Sequence, residues 1–279
     1  MHVRLLPALV LLLAAPSAWP RAEAAPSPSD VALRYAIHVG GLHAFDAGIV
    51  ARLHEGRYEL EGEAASRGLA DWLASFRGRS RAEGTLVPSG ARPERYRSDR
   101  TFRGSARTVT VEYGNGGVAE AVEPPAARQD RDPVPDAVKP GTVDPLSAGL
   151  STVLAAFRDG RCGGTERIFD GLARYDLVAS DTGTAALTAT SYGIYSGPAI
   201  RCSLDQRMLA GFWRGRSASS ANQADRRPMT LWLAPIGPGG LPLPVRAELE
   251  GWFGSVVVHL VGGTGLELGA DAAEAVPAP

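Results

Sequence analysis

The stretch Glu55-Gly56-Arg57-Tyr58-Glu59-Leu60-Glu61-Gly62-Glu63-Ala64 decides the fold class. A period of two puts Arg57, Glu59, Glu61 and Glu63 on one face and Tyr58, Leu60 and Ala64 on the other, as in an antiparallel strand with one wet side. Upstream, Val31 to Val39 ends at Gly40-Gly41 and Ala44 to His54 ends at Glu55-Gly56. Short strands punctuated by glycine turns in this way predict a β-meander. Downstream, Gly68 to Phe76 breaks the period: Leu69, Trp72, Leu73 and Phe76 fall at i, i+3, i+4 and i+7, the spacing of a short amphipathic helix. Its aromatic residues are expected to plug the sheet.

Strands resume at Arg77 to Leu86, Arg92 to Phe102 and Ala106 to Tyr113, the last running into the turn Gly114-Asn115-Gly116-Gly117. Glu123 to Val143, with Pro124, Pro125, Pro133, Pro135 and Pro140, reads as an extended polar loop. Asp144-Pro145 then opens a helix, with Asp as N-cap and Pro at the first helical position. The stripe Leu146, Leu150, Val153, Leu154 and Phe157 continues it to Gly160. Further strands are expected at Thr165–Phe169, Ala173–Ala179, Ala185–Tyr195, Thr230–Ala234, Pro244–Glu250 and Ser255–Val261. In Phe169-Asp170-Gly171, the Asp-Gly pair marks a hairpin turn from which Arg174-Tyr175-Asp176 returns.

The two ends of the chain read differently. Met1 to Ala24 has a short charged end, an apolar run from Leu5 to Ala15 and the A-x-A pattern Ala22-Glu23-Ala24, a secretory signal cleaved after Ala24. Its run is too short to span a bilayer, and no later run approaches that length. The expected organisation is thus a signal peptide at 1–24, one β-rich domain over 25–262 with the Pro-rich loop at 123–143, and a disordered tail over 263–279. An exported chain with two cysteines, Cys162 and Cys202, should join them in a disulfide, because oxidising compartments favour that over a metal site or a reactive thiol.

With 44% hydrophobic and 21% charged residues the chain is neither disordered nor collagenous. A formal charge of −1 gives no global field for nucleic acid or an anionic membrane. No residue constellation reports a reaction. Gly149-Leu150-Ser151-Thr152-Val153 lacks the last glycine of a nucleophile elbow. The sole lysine, Lys139, lies in the Pro-rich loop rather than after a glycine loop, which excludes a P-loop. His54-Glu55 meets Arg57 and Tyr58 where a zincin needs its second histidine. His38 and His54 could still meet across a ladder. The pairs Glu61/Glu63 and Glu248/Glu250 read as solvated strand faces. No cofactor, no metal and no catalytic residue is assigned.

Residues 77–107 hold nine arginines against Glu83, Glu94 and Asp99, a local charge of +6. Arg77, Arg79 and Arg81 alternate with Gly78, Ser80 and Ala82, so on a strand they form a basic stripe suited to phosphates or carboxylates, unless neighbouring acidic strands neutralise it. Trp72, Phe76, Phe212, Trp213, Trp232, Trp252 and Phe253 are candidates to line a cavity in a curved sheet, or else to fill its core.

Tyr35 with Gly48, the string Gly68-Leu69-Ala70-Asp71-Trp72-Leu73 with Phe76, Asp144-Pro145-Leu146-Ser147, Cys162, Phe169-Asp170-Gly171, Arg174-Tyr175-Asp176 and Cys202 together resemble the bacterial exported proteins of domain-of-unknown-function family 3108, over about Val31 to Val261. The resemblance implies a periplasmic, mainly β protein without an established activity, supports the pairing of Cys162 with Cys202, and brings no catalytic residue. The fold expected is a curved antiparallel sheet or partly open β-barrel with two short helices and one disulfide. The function expected is non-enzymatic binding of a lipid or other amphipathic small molecule in the sheet's concavity, with Trp72, Phe76, Arg77, Arg79 and Arg81 as ligand-binding residues. The alternative is an interaction module docking an envelope protein or anionic glycan through the Arg-rich face. An outer-membrane barrel is disfavoured by the two apolar helices, the few aromatics and the Pro-terminated tail.

Overall fold

The computed structural model describes residues 29–114, 117–125, 130–215, 228–251 and 254–268. The signal peptide expected at 1–24, the turn residues Asn115 and Gly116, and the aromatics Trp252 and Phe253 lie outside them. Thirteen strands form one antiparallel sheet: β1 (Ser29–Val39), β2 (Leu42–His54), β3 (Arg57–Ser66), β4 (Phe76–Val87), β5 (Gly90–Phe102), β6 (Ser105–Gly114), β7 (Gly117–Glu123), β8 (Gly163–Phe169), β9 (Arg174–Leu187), β10 (Gly197–Ala210), β11 (Met229–Pro235), β12 (Pro242–Gly251) and β13 (Gly254–Thr264). Their order is β7-β6-β5-β4-β3-β2-β1-β13-β12-β11-β10-β9-β8, so two hairpin meanders are joined where β1 pairs with β13. The helices are α1 (Gly68–Ala74) and α2 (Pro145–Asp159). The expected mainly β, curved and unclosed architecture with two helices and a Cys162–Cys202 disulfide is what the structure has.

Four details of the sequence reading are corrected. β7 is an additional strand; its alternation is carried by small residues and gives a weak signal. Ala173–Ala179 and the first part of Ala185–Tyr195 belong to one long strand, β9, and residues 188–196 leave the sheet. β10, which carries Cys202, is likewise additional. The packed domain also extends beyond the expected boundary at 262, because β13 runs to Thr264 and Leu266 and Leu268 pack on the core; residues 269–279 lie outside the described part.

The sheet curls around α2, which packs against β3, β4, β5, β8 and β12. As its sequence dictates, Asp144 caps the helix by accepting from the Leu146 and Ser147 amides at 2.9 Å, and Gly160 ends it in the left-handed conformation. The helix is locked inside by polar contacts: the Tyr58 and Ser147 hydroxyls are 2.7 Å apart, and the Ala91 amide donates to Ser151 Oγ at 2.9 Å. Asp144 is fully buried, and desolvation raises its pKa to about 6 against the pull of its hydrogen bonds.

The ends of the sheet meet without a backbone ladder. The Tyr113 hydroxyl on β6 donates to the Phe169 carbonyl at the end of β8 (2.6 Å), and Gly171 in the β8–β9 turn lies against Val109 and Val111. The Pro-rich loop completes this seam. Buried Lys139 donates to Glu120 on β7 (2.8 Å) and to Asp136 (2.7 Å), and stands 5.5 Å from the Phe169 ring centroid. No helix among the described residues is long and apolar enough to cross a membrane.

Candidate functional site

The inner face of the β1–β6 half follows from strand parity. The row Tyr35–Ala47–Ala64–Gly78–Arg100–Arg107 is contiguous across six strands, and the next row is Leu33–Ile49–Gly62–Ser80–Ser98–Val109. The centre of both rows is small: Ala47, Ala64 and Gly78 in one, Gly62 and Ser80 in the other. Large side chains there would fill the curl; these leave a cavity of about 430 Å³. Its walls are Tyr35, Ile49, Phe76, Leu146, Leu231 and Val258 together with the small residues. Leu146 comes from the first turn of α2, so the helix that stabilises the curl also floors the cavity.

Two side chains set the shape of this space. Tyr35 spans the curl and donates to the Pro244 carbonyl on β12 at 2.9 Å, and its burial pushes the phenol pKa up. Phe76 folds over Gly78: a Cβ there would stand 2.9 Å from the ring tip, so glycine is required for this placement. Phe76 is therefore a cavity wall.

Trp72 is not. It is 79% exposed, α1 buries none of its residues, and the expected plug is absent. The physical reason is that α1 is tied down through its polar side. Asp71 accepts from Ser66 Oγ (2.6 Å), Ser75 Oγ (3.1 Å) and Arg77 (3.2 Å), and these bonds hold its carboxyl below the usual range.

The Arg77–Arg79–Arg81 stripe lies on the outer face of β4, opposite in parity to Phe76, Gly78 and Ser80. Each arginine has an acidic neighbour: Arg77 with Asp71 at 3.2 Å, Arg79 with Glu63 at 3.6 Å and Arg81 with Glu61 at 3.6 Å. Glu61 and Glu63 stand directly across the β3–β4 ladder, so the acidic face of the opening stretch neutralises the basic one. An open hollow of about 1000 Å³ runs along these strands and includes Arg34, Glu63, Arg79 and Asp99 in its lining.

Two cations line the cavity, Arg246, which is paired with Glu248, and Arg100, which the sequence reading counts but does not single out. Arg100 donates to Ser98 Oγ at 3.0 Å and has no carboxylate partner among the described residues. Directly opposite stands Arg107, whose guanidinium is taken by Asp130 at 2.8 Å. Parity would have found both, since Tyr96-x-Ser98-x-Arg100 and Arg107-x-Val109-x-Val111 put the arginines on the side of buried residues.

His38 and His54 do not meet. His54 meets Asp30 at 3.1 Å, whereas His38 stacks on His43 (5.1 Å between centroids) and lies edge-on to His259 and Tyr192. Burial lowers the pKa of His38 and of His259, each reinforced by neighbouring positive charge. No group of three or more His, Cys, Asp or Glu among the described residues is placed to hold a metal ion. Of the other aromatics, Trp232 is core, and Trp213 is half exposed under Arg131, whose guanidinium carbon is 3.9 Å from the ring centroid.

A family model described as a protein of unknown function, DUF3108, matches residues 34–261. No curated protein matches the chain. Among solved structures it is similar to the crystal structure of a beta-barrel-like protein of domain of unknown function DUF1849 from Brucella abortus, at 8% identity and a TM-score of 0.49, covering 85% of this chain and 98% of that one.

Proposed function

Because the chain belongs to the DUF3108 family, which carries no activity to transfer, we propose from the site alone that it is a periplasmic, non-enzymatic protein binding an amphipathic envelope ligand inside the curled sheet. The observation that carries this reading is the inner cavity: about 430 Å³ of mostly apolar space with Arg100 on its wall. That volume falls in the range of small-molecule sites, and the combination of apolar walls with a few placed polar groups, here Arg100, Arg246 and Glu63, is their usual composition. The apolar chain of the ligand lies against Tyr35, Ile49, Leu146 and Val258, and its anionic end meets Arg100. The export signal expected at 1–24 and the disulfide support the compartment. Docking through Arg77, Arg79 and Arg81 is the weaker reading, because each already has an acidic neighbour.

The test is native mass spectrometry of the purified protein, before and after adding palmitate or hexadecanol. Palmitate adducts that exceed hexadecanol adducts, with the preference lost in Arg100→Gln, support the reading. Equal adducts would remove Arg100 from the site while leaving the cavity occupied, and no adduct of either kind would overturn the reading.

A further inference from the structure

Helix α1 is an amphipathic helix mounted the wrong way round for a core element. Leu69, Trp72 and Leu73, at i, i+3 and i+4, are 60%, 79% and 57% exposed, while the polar Asp71 is the residue bonded to the sheet. The ties are specific. Besides Asp71, the Phe76 amide donates to Ser66 Oγ at 2.8 Å, so the outward pose of the apolar side is held by hydrogen bonds rather than left by loose packing.

A second element extends the same patch. The β5–β6 turn carries Phe102, 51% exposed, and Arg103, whose amide donates to the Ser75 carbonyl at 2.9 Å and whose guanidinium reaches the Leu73 carbonyl at 3.5 Å. Helix and turn therefore make one tip with four exposed apolar side chains. Its rim is basic. Arg103 lies 5.5 Å from the centre of the Phe102 ring and has no carboxylate partner among the described residues. Arg67 and Arg77 pair with Asp46 and Asp71 yet keep more than half of their side chains exposed.

We propose that this tip is a membrane-docking element, in which Leu69, Trp72, Leu73 and Phe102 enter the headgroup region of an anionic phospholipid surface and Arg67, Arg77 and Arg103 meet its phosphates. An exposed apolar patch with a basic rim has the charge complementarity that an anionic bilayer offers, and tryptophan is favoured where one side of a residue is apolar and the other wet. A tip this small gives weak, reversible association that salt weakens. The proposal stands independently of the cavity's contents. Phe76 and Arg100 nonetheless link the two sites, since Phe76 follows α1 in the chain and Arg100 lies two residues before Phe102.

The experiment is co-sedimentation of the purified protein with vesicles of phosphatidylglycerol and phosphatidylethanolamine, against vesicles of phosphatidylcholine alone. The wild type should partition to the anionic vesicles, and Trp72→Ser with Leu73→Ser should lose about tenfold or more of that binding. Arg103→Glu should weaken it as raised salt does. Thermal unfolding of each variant checks that the fold is intact, and the exposure of these residues predicts unchanged midpoints. Absence of wild-type binding to anionic vesicles, or binding unaffected by the double substitution, overturns the proposal. So does a wild-type dimer in light scattering that the double substitution dissociates, because the tip would then cover a second copy of the chain.

Discussion

Gly171 and Val109 touch through bare backbone: a β carbon at Gly171 would stand 2.3 Å from Val109 Cγ1. The two residues are at opposite ends of the thirteen-stranded sheet, in the β8–β9 turn and on β6. The glycine also has φ of +86°, so it is demanded twice, once by the turn and once by the seam. Gly171→Ala should lower stability by about 2–3 kcal/mol, read as a fall in the urea midpoint with the slope unchanged. An unchanged midpoint would mean that the seam adjusts at no cost.

Lys139 tests the other half of the seam. Its side chain is 7% exposed, and its ammonium lies between Glu120 and Asp136. Lys139→Met keeps much of the stem but removes the charge, and breaking a buried pair from one side is expected to cost about 3 kcal/mol. Limited proteolysis should show faster cleavage within 131–143, where the loop loses its anchor. Equal cleavage rates in wild type and variant would assign the loop's position to other contacts.

Asp144 predicts a pH signature. Its pKa is raised from 3.8 to about 6 in the folded chain, so the folded state holds the proton more tightly than the unfolded state does. The associated stability is fully present below the unfolded value and is lost as pH rises through about 6, a difference of ~3 kcal/mol at neutral pH. Asp144→Asn keeps an oxygen for the Leu146 and Ser147 amides and removes the ionisation. The variant should gain on the wild type between pH 4 and pH 7, measured by chemical unfolding across that range. A gap between the two that is constant with pH would refute the assignment.

The disulfide joins Cys162, beside β8, to Cys202 on β10 across the intervening strand β9, with a sequence separation of 40. Replacing both cysteines by serine should cost about 2–4 kcal/mol, seen as a lowered thermal midpoint equal to that of the reduced wild type. A reduced wild type as stable as the oxidised one would show that the neighbouring core suffices.

Much of the fold was legible in the sequence because its signals are local. The alternation in Arg57–Ala64, the Asp144-Pro145 cap and the Asp170-Gly171 turn each specify their element without distant help. β10 was hidden because Ser-Leu-Asp-Gln-Arg-Met-Leu in 203–209 alternates weakly, and its partner β9 reads as two pieces. The inverted pose of α1 was illegible in principle. Periodicity shows that a helix has an apolar side, but the bonds of Asp71 to Ser66 on β3 and Arg77 on β4 decide which side meets the sheet. At the site, Phe76 could be named from composition, whereas Arg100 needed strand parity carried one step further, from Tyr96 through Ser98.

The seam also sets how the sheet can deform. In a closed barrel the bore is fixed by strand number and stagger, and widening it means breaking ladder bonds. Here the thirteen strands form a split ring, and among the described residues the gap between β7 and β8 is bridged by side chains and by the Pro-rich loop: the Tyr113 hydroxyl, Gly171 against Val109, Lys139 with Glu120, and Val143, whose amide donates to the Arg167 carbonyl on β8 at 2.8 Å. A split ring of this kind has no ladder to break across its gap, so a change in its diameter would shift only the side chains and the loop at the seam, and every strand pairing could survive it.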